Sequence, residues 1–180
     1  MQQVLFSAMG DLLASKHEDM PAVIAEDLGV ITDDVRSLLA YSAMPGMRVL
    51  QFAFSEGQDN PHLPHNYVEN TVAYTGTHDN NTTLGYLLEA PEWERVRMLD
   101  YCAGGVNDHR TAVHEIIKRV MASRAGLVMI PIQDILAYGS DTRMNTPGTS
   151  VGNWAYRTAQ WQLDSVDRSY WRYLNNLFAR

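Results

Sequence analysis

The sequence predicts an α/β fold in which short parallel strands are covered by helices on both faces. Its apolar runs are short and continuous, and helical patterns separate them, as is typical of buried parallel strands. The polar stretches follow the strands directly, at the end where (β/α)₈ barrels carry their active sites. Four strands are predicted, whereas a closed barrel takes eight in about 250 residues. These observations leave an open α/β sheet and half of a barrel as alternatives.

Composition limits the function classes. The 180 residues are 46% apolar and 19% charged, which suits one globular domain, and no apolar run approaches the roughly 18 residues of a membrane span. The N-terminus has no basic region before its apolar residues, and Cys102 is the single cysteine, so we expect no disulfide, no membrane association and, by default, a cytoplasmic location. The net charge of −7 repels nucleic acid. The four Trp and nine Tyr are compatible with sugar binding, but their number alone favours ordinary core and rim positions.

The first part of the chain predicts a helix, a strand, a helix and a second strand. Residues 2–14 form the first helix, with one apolar face, and Pro21 precedes a buried strand at 22–25. Thr32 can cap the next helix, which Pro45 and Gly46 end, and the second strand covers 47–53. The predicted helix faces are Val4, Leu5, Ala8 and Leu12 in the first helix and Val35, Leu38 and Leu39 in the second.

The second part predicts two more strands and three helices. A polar stretch through 61–67 is a long loop with room for one helical turn, and a third strand covers Thr71–Tyr74. One helix starts near Pro91, and another runs from about 108 to 123 with a regular apolar face. The fourth strand covers 126–132, a loop rich in Gly, Asn and Thr follows, and a helix closes the chain. The apolar residues of that last helix are Tyr170, Trp171, Leu174, Leu177 and Phe178.

Three polar clusters after the strands can carry chemistry. Glu26 and Asp27 follow the first strand, a place suited to a general acid, but acidic residues after strands are common, and taken alone the pair is better explained by a cap at Asp27 and a solvated Glu26. His78 and Asp79 lie in a polar run after the third strand, where they can bind sugar hydroxyls, hold a metal or cap the next helix. No HxH or HExxH accompanies them, which disfavours a metal-dependent hydrolase.

The third cluster is the loop at 139–154, which is either a mobile surface loop or part of a pocket lined by Arg143, Asn145, Asn153 and Trp154. Glu26 and Asp79 are 53 positions apart. At about 30 residues per βα unit this is two units of a barrel, so both carboxylates can face one pocket. Paired carboxylates at one rim indicate glycosidic bond chemistry.

Five strings, in order, resemble the 4-α-glucanotransferases of glycoside hydrolase family 77. They are IAEDLG (24–29), MPGMRVLQFAF (44–54), PHLPHNY (61–67), YTGTHDNNTTLGY (74–86) and RMNTPG (143–148). The resemblance extends from about the first helix to about residue 157. It implies a (β/α)₈ barrel that transfers α-1,4-glucan segments between malto-oligosaccharides with retention, and we predict no cofactor and no metal.

The resemblance also assigns roles to residues. Glu26 is similar to the family's acid/base, and Asp79 to the carboxylate that stabilises the transition state. His78, Phe52 and Asn145 correspond to substrate contacts. Asp27 is grouped with the substrate-binding residues, although support of Glu26 is its more natural role.

The sequence departs from the family at the nucleophile. The family's Arg-x-Asp-His motif, on the strand before the AEDLG strand, does not occur in the 180 residues. We therefore expect residues 1–180 to be a single partial catalytic domain, the C-terminal half of the barrel, without the half that carries the nucleophile. On this interpretation the chain alone is inactive, and the alternative is a non-catalytic fragment that binds malto-oligosaccharides.

Overall fold

The computed structural model describes residues 2–16, 22–106 and 108–180, which contain a three-stranded parallel sheet and eight α-helices. The strands are β1 (Gly46–Val49), β2 (Thr71–Tyr74) and β3 (Leu127–Met129), in that order across the sheet. Gly46 pairs with Thr71, and Val72 pairs with Leu127. The α-helices are α1 (Gln2–Ser15), α2 (Asp33–Ser42), α3 (Thr83–Glu89), α4 (Glu92–Cys102), α5 (His109–Met121), α6 (Ile132–Ile135), α7 (Gln160–Asp164) and α8 (Arg168–Leu177).

The core lies between the sheet and helices α3, α4, α5 and α8. Helix α5 contributes the predicted apolar face, and all five of its residues are buried. Its N-cap is Asp108, whose side chain accepts a hydrogen bond from the Thr111 N–H, so the predicted start is also confirmed. Leu174 of α8 is buried against this core, while Leu177 is 52% exposed. The buried face of α5 is made of Val113, Ile116, Ile117, Val120 and Met121.

The strand predicted at 22–25 does not form; the described residues 22–28 have no regular structure, and Pro21 lies outside the described residues. This segment makes one strand-like bond, from the Ala25 N–H to the Pro45 carbonyl at 2.9 Å. A parallel ladder would next take the Met47 N–H, but that group donates to the Asp27 carboxylate at 2.5 Å. A side chain has replaced the backbone partner, and the ladder stops there.

The described residues of the predicted apolar faces of the first two helices are largely exposed or only half-buried. Val4 and Leu12 of α1 are 69% and 56% exposed, and α2 contains no buried residue among those described. The two helices pack on each other, so each buries only a narrow stripe. Thr32 precedes α2 as predicted, but its side chain makes no capping bond.

The other strand predictions are confirmed in position, with differences in length. Strand β2 has the predicted bounds, whereas the second and fourth predicted strands form only as the shorter β1 and β3. A 3₁₀ turn at Leu50–Phe52 ends β1, and another at Pro64–Asn66 supplies the helical turn of the long loop. Helices α3, α6 and α7 were not predicted, because each spans seven residues or fewer and shows no full apolar period. Among the described residues, no helix is long and apolar enough to span a membrane.

Candidate functional site

A cavity of about 1050 Å³ opens at the carboxyl ends of the three strands. Residues that follow all three strands line it, as expected for a site at this edge of a parallel sheet. Of the six residues to which the family resemblance assigns a role, Glu26, Phe52, His78 and Asp79 line the cavity, while Asp27 and Asn145 lie outside its lining. Tyr74, Met129, Arg143 and Trp154 are further parts of its wall.

Glu26 is held by the residue that follows it. Glu26 is exposed and lines the cavity. The Asp27 carboxylate accepts the Met47 N–H at 2.5 Å and a guanidinium N–H of Arg48 at 3.0 Å. Because Asp27 is fixed to β1 and is not part of the cavity lining, these bonds hold the adjacent Glu26 at the wall.

Phe52 is positioned by a histidine that the sequence analysis did not single out. The Phe52 ring meets the His62 ring edge-on, with centroids 5.5 Å apart. The Nδ1 atom of His62 accepts the Val49 N–H at 3.0 Å, which requires an unprotonated Nδ1. Burial lowers the pKa of His62, the Arg48 charge lowers it further, and Asp27 partly opposes both. The string PHLPHNY was visible in the sequence, but this contact was not.

The segment 75–82 is folded partly by its own side chains. The Asn80 side-chain oxygen accepts the Thr77 N–H at 2.9 Å and the Thr77 hydroxyl at 2.8 Å. The cap of α3 is Thr82, whose side chain accepts the Gly85 N–H. The alternative in which Asp79 and Asn80 cap this helix is therefore wrong, and the Asp79 carboxylate is left to face the cavity.

The loop at 139–154 contacts Asp79. Two of the residues predicted there to line a pocket, Arg143 and Trp154, do line the cavity. The Asn145 side-chain amide donates to an Asp79 carboxylate oxygen at 2.6 Å, and His78 Nε2 lies 3.1 Å from the same oxygen. The Arg143 guanidinium donates to the Asp79 carbonyl at 2.7 Å. The Asn145 N–H donates to the His78 carbonyl at 3.1 Å. These contacts fix Asp79 while its side chain stays 49% exposed.

Trp154 closes this arrangement from the far end of the same loop. Its ring lies against His78, with centroids 5.2 Å apart at 32°. Its backbone is in the left-handed region, at φ 59°, which costs a bulky residue energy, and its N–H donates to the Met144 carbonyl at 2.7 Å. The loop is therefore docked on the His78–Asp79 segment, and Asn153, which bonds within the loop, does not reach the cavity.

Asp134 follows β3 and supports the cavity from outside its lining. The carboxylate is buried, outside the cavity lining, and accepts three hydrogen bonds from Thr75 and Thr83. Burial raises its pKa, and those hydrogen bonds oppose the shift. In the described ranges, no three His, Cys, Asp or Glu side chains group as metal ligands would.

Comparisons with known proteins agree with this geometry. Residues 2–163 match the model of the 4-alpha-glucanotransferase family. A 4-alpha-glucanotransferase of Synechocystis is 41% identical over 97% of this chain and 34% of its own length. The Thermus thermophilus 4-alpha-glucanotransferase is 47% identical over 78% of this chain and 29% of its own.

Solved structures give the fold. An amylomaltase from Streptococcus agalactiae in complex with acarbose superposes with a TM-score of 0.89, at 29% identity, over 99% of this chain and 35% of its own. The chain thus has the fold of part of a (β/α)₈ barrel, and it spans 22% to 34% of the length of the curated relatives. The five motifs, the cavity that Glu26 and Asp79 share and the match over residues 2–163 place this chain in glycoside hydrolase family 77, the 4-alpha-glucanotransferases.

Proposed function

We propose that this chain supplies two of the three catalytic carboxylates of an α-1,4-glucan transfer between malto-oligosaccharides. The observation that carries the proposal is the shared cavity: Glu26 and Asp79, from segments 53 positions apart, line one cleft at the strand ends. The relatives are named 4-alpha-glucanotransferases, and the amylomaltase neighbour is in complex with acarbose. A cleft lined by carboxylates and aromatic rings suits a neutral sugar chain.

Glu26 acts as the acid/base in this proposal. It protonates the oxygen of the leaving glucan and then takes a proton from the acceptor hydroxyl, as a retaining double displacement requires. Its exposure at the cavity wall lets leaving group and acceptor reach it in turn. Asp27 acts from behind the wall by holding this part of the chain on β1.

Asp79 stabilises the transition state. Its carboxylate accepts hydrogen bonds from sugar hydroxyls, and these bonds strengthen as the ring flattens. The Asn145 amide and the His78 ring both lie on its Oδ1 atom, which leaves Oδ2 for the sugar. His78 and Phe52 contact the same sugar chain from the wall, and Asn145 contacts it next to Asp79.

The covalent step needs a third carboxylate. In retaining enzymes the nucleophile lies about 5–5.5 Å from the acid/base, and the family's Arg-x-Asp-His motif does not occur in these 180 residues. Residues 1–180 incubated with maltotriose are therefore expected to form no glucose and no longer maltodextrins. Products above those of a Glu26→Ala control would show that a carboxylate of this chain serves as the nucleophile.

The role of Glu26 is tested in a protein that joins this chain to the preceding part of the Synechocystis relative. Glu26→Gln is expected to slow maltotriose disproportionation by about 10²–10⁴-fold, the usual contribution of general acid–base catalysis. Glucosyl fluoride needs less protonation, so its first step suffers less. Glu92→Gln, an exposed carboxylate at the start of α4, is the matched control. Equal losses with both donors would remove Glu26 from this role.

A binding fragment without catalysis is the second candidate, because the cavity exists within this chain alone. Titration calorimetry of residues 1–180 with the maltose series tests this candidate: saturable heat supports binding by the chain alone, and no heat removes the candidate. A cytoplasmic location also stays a proposal, since the potato relative is chloroplastic or amyloplastic.

A further inference from the structure

Both loops that meet at Asp79 are anchored to two adjacent residues, Gln133 and Asp134. Asp134 is 1% exposed. Its carboxylate accepts the Thr75 hydroxyl at 2.5 Å, the Thr83 N–H at 2.7 Å and the Thr83 hydroxyl at 2.8 Å. Thr75 and Thr83 stand immediately before and after residues 76–82, the segment that carries His78 and Asp79. One buried carboxylate therefore ties both ends of that segment together.

Gln133 anchors the other loop. Its side chain is buried, and its amide donates to the Thr142 carbonyl at 3.2 Å. Thr142 in turn donates from its hydroxyl to the Gly139 carbonyl at 2.9 Å. The next residue is Arg143, whose guanidinium binds the Asp79 carbonyl. Gln133 thus holds the start of the 139–154 loop, and its neighbour in the sequence, Asp134, holds the 76–82 segment.

A buried carboxylate is an energetically unfavourable group with which to support a loop. Its desolvation costs free energy unless hydrogen bonds compensate, and a well-packed apolar residue of similar volume avoids the cost. Asp134 is surrounded by three donors and no described basic group bonds to it, so it contributes directed hydrogen bonds at three fixed points. Such bonds set a geometry, which apolar packing does less sharply.

We propose that Gln133 and Asp134 are positioning residues that hold the 76–82 segment and the 139–154 loop in one register at Asp79. The bonds of Asn145 and Arg143 to Asp79, at 2.6 and 2.7 Å, need both loops in place. A relative shift of about 1 Å takes such bonds outside hydrogen-bonding distance. A shift of that size can cost about 10²-fold in rate at a catalytic group.

The experiment follows the Asn145 side-chain amide by NMR in the 180-residue chain, with amide hydrogen exchange alongside. Thr75→Val removes one donor to Asp134 at nearly constant volume, and Thr75→Ser restores it. In Thr75→Val the Asn145 amide signal is expected to move toward that of a free amide. Exchange of the Asn145 N–H, which bonds to His78, is expected to rise about 10- to 100-fold, the range for the loss of one hydrogen bond to a charged group. Gln133→Ala is expected to do the same from the other loop.

Leu174→Ala, in the buried contact of α8 with α5, is the matched control, because it lowers stability without touching either anchor. Rescue by Thr75→Ser and an unmoved Asn145 signal in Leu174→Ala support the proposal. If Thr75→Val and Gln133→Ala only lower the urea midpoint and leave the Asn145 signal unchanged, these residues are structural alone and the proposal fails. The importance of this positioning for catalysis rests on the proposed role of Asp79. The measurement itself needs no sugar, so its result does not depend on whether the glucan assignment holds.

Discussion

Gly46 sits where any side chain collides with Asp27. A Cβ atom added there would lie 2.6 Å from Oδ2, 2.8 Å from Oδ1 and 2.9 Å from Cγ of Asp27, closer than carbon atoms pack. The backbone of Gly46 lies outside the left-handed region, so alanine can take this backbone conformation without strain. Gly46→Ala is expected to displace the carboxylate and break its bonds to Met47 and Arg48. At about 1.5–3 kcal/mol net for each hydrogen bond to a charged group, the loss of both bonds is about 3–6 kcal/mol.

Urea unfolding of the 180-residue chain measures this loss, with Gly10→Ala as control. No atom lies within 4 Å of a Cβ at Gly10, which is inside α1, so this change is expected to stabilise by about 0.5–1 kcal/mol. A double-mutant cycle isolates the cause. In an Asp27→Ala background, Gly46→Ala is expected to add less than about 0.5 kcal/mol. Full additivity, or wild-type stability of Gly46→Ala, would refute the collision.

Three further changes have expected outcomes of their own. The pKa of His62 is lowered from 6.5, so the folded protein binds fewer protons than the unfolded chain. The free energy of unfolding should therefore fall as pH drops below about 6.5. Urea unfolding at several pH values should show that the free energy of unfolding depends less on pH in His62→Gln. Asp79→Asn, in the protein joined to the Synechocystis segment, should lower kcat much more than it raises KM; unchanged kcat with weaker binding would make Asp79 a ground-state contact. Thr82→Ala removes the cap of α3 and should cost about 1 kcal/mol in urea unfolding, with Thr82→Ser close to wild type.

The sequence predicted the elements whose pattern is local. The apolar period placed α5 within two residues at each end, and the run at Thr71–Tyr74 gave β2 its bounds. The strand at 22–25 failed for a tertiary reason, since the donor it needed on Met47 is taken by Asp27. A similar limit applies to α1, whose apolar stripe is real but lies largely exposed.

The position of the cavity could be predicted, because active sites of such folds lie at the carboxyl ends of the strands. The hydrogen bonds that hold its loops in place could not be predicted. Four of the six residues to which the family resemblance assigns a role line the cavity. The partners of Asp79 lie 64 and 66 positions away, and those of Asp134 lie 51 and 59 positions away. No periodicity or propensity relates residues at such separations, because these bonds depend on how two loops approach one another.

The two carboxylates of the cleft are held by different means. Glu26 has an irregular segment around it, and its position depends on Asp27, which is bound to the edge of β1. Asp79 depends on a second loop, and both of its supporting segments lead back to Gln133 and Asp134 beyond β3. In the proposed reaction the acid/base must serve a leaving group and then an acceptor, whereas the stabilising carboxylate must keep one geometry as the ring flattens. The exposed Glu26 and the cross-bonded Asp79 match these two demands, so the supporting bonds agree with the two roles that the family resemblance implies.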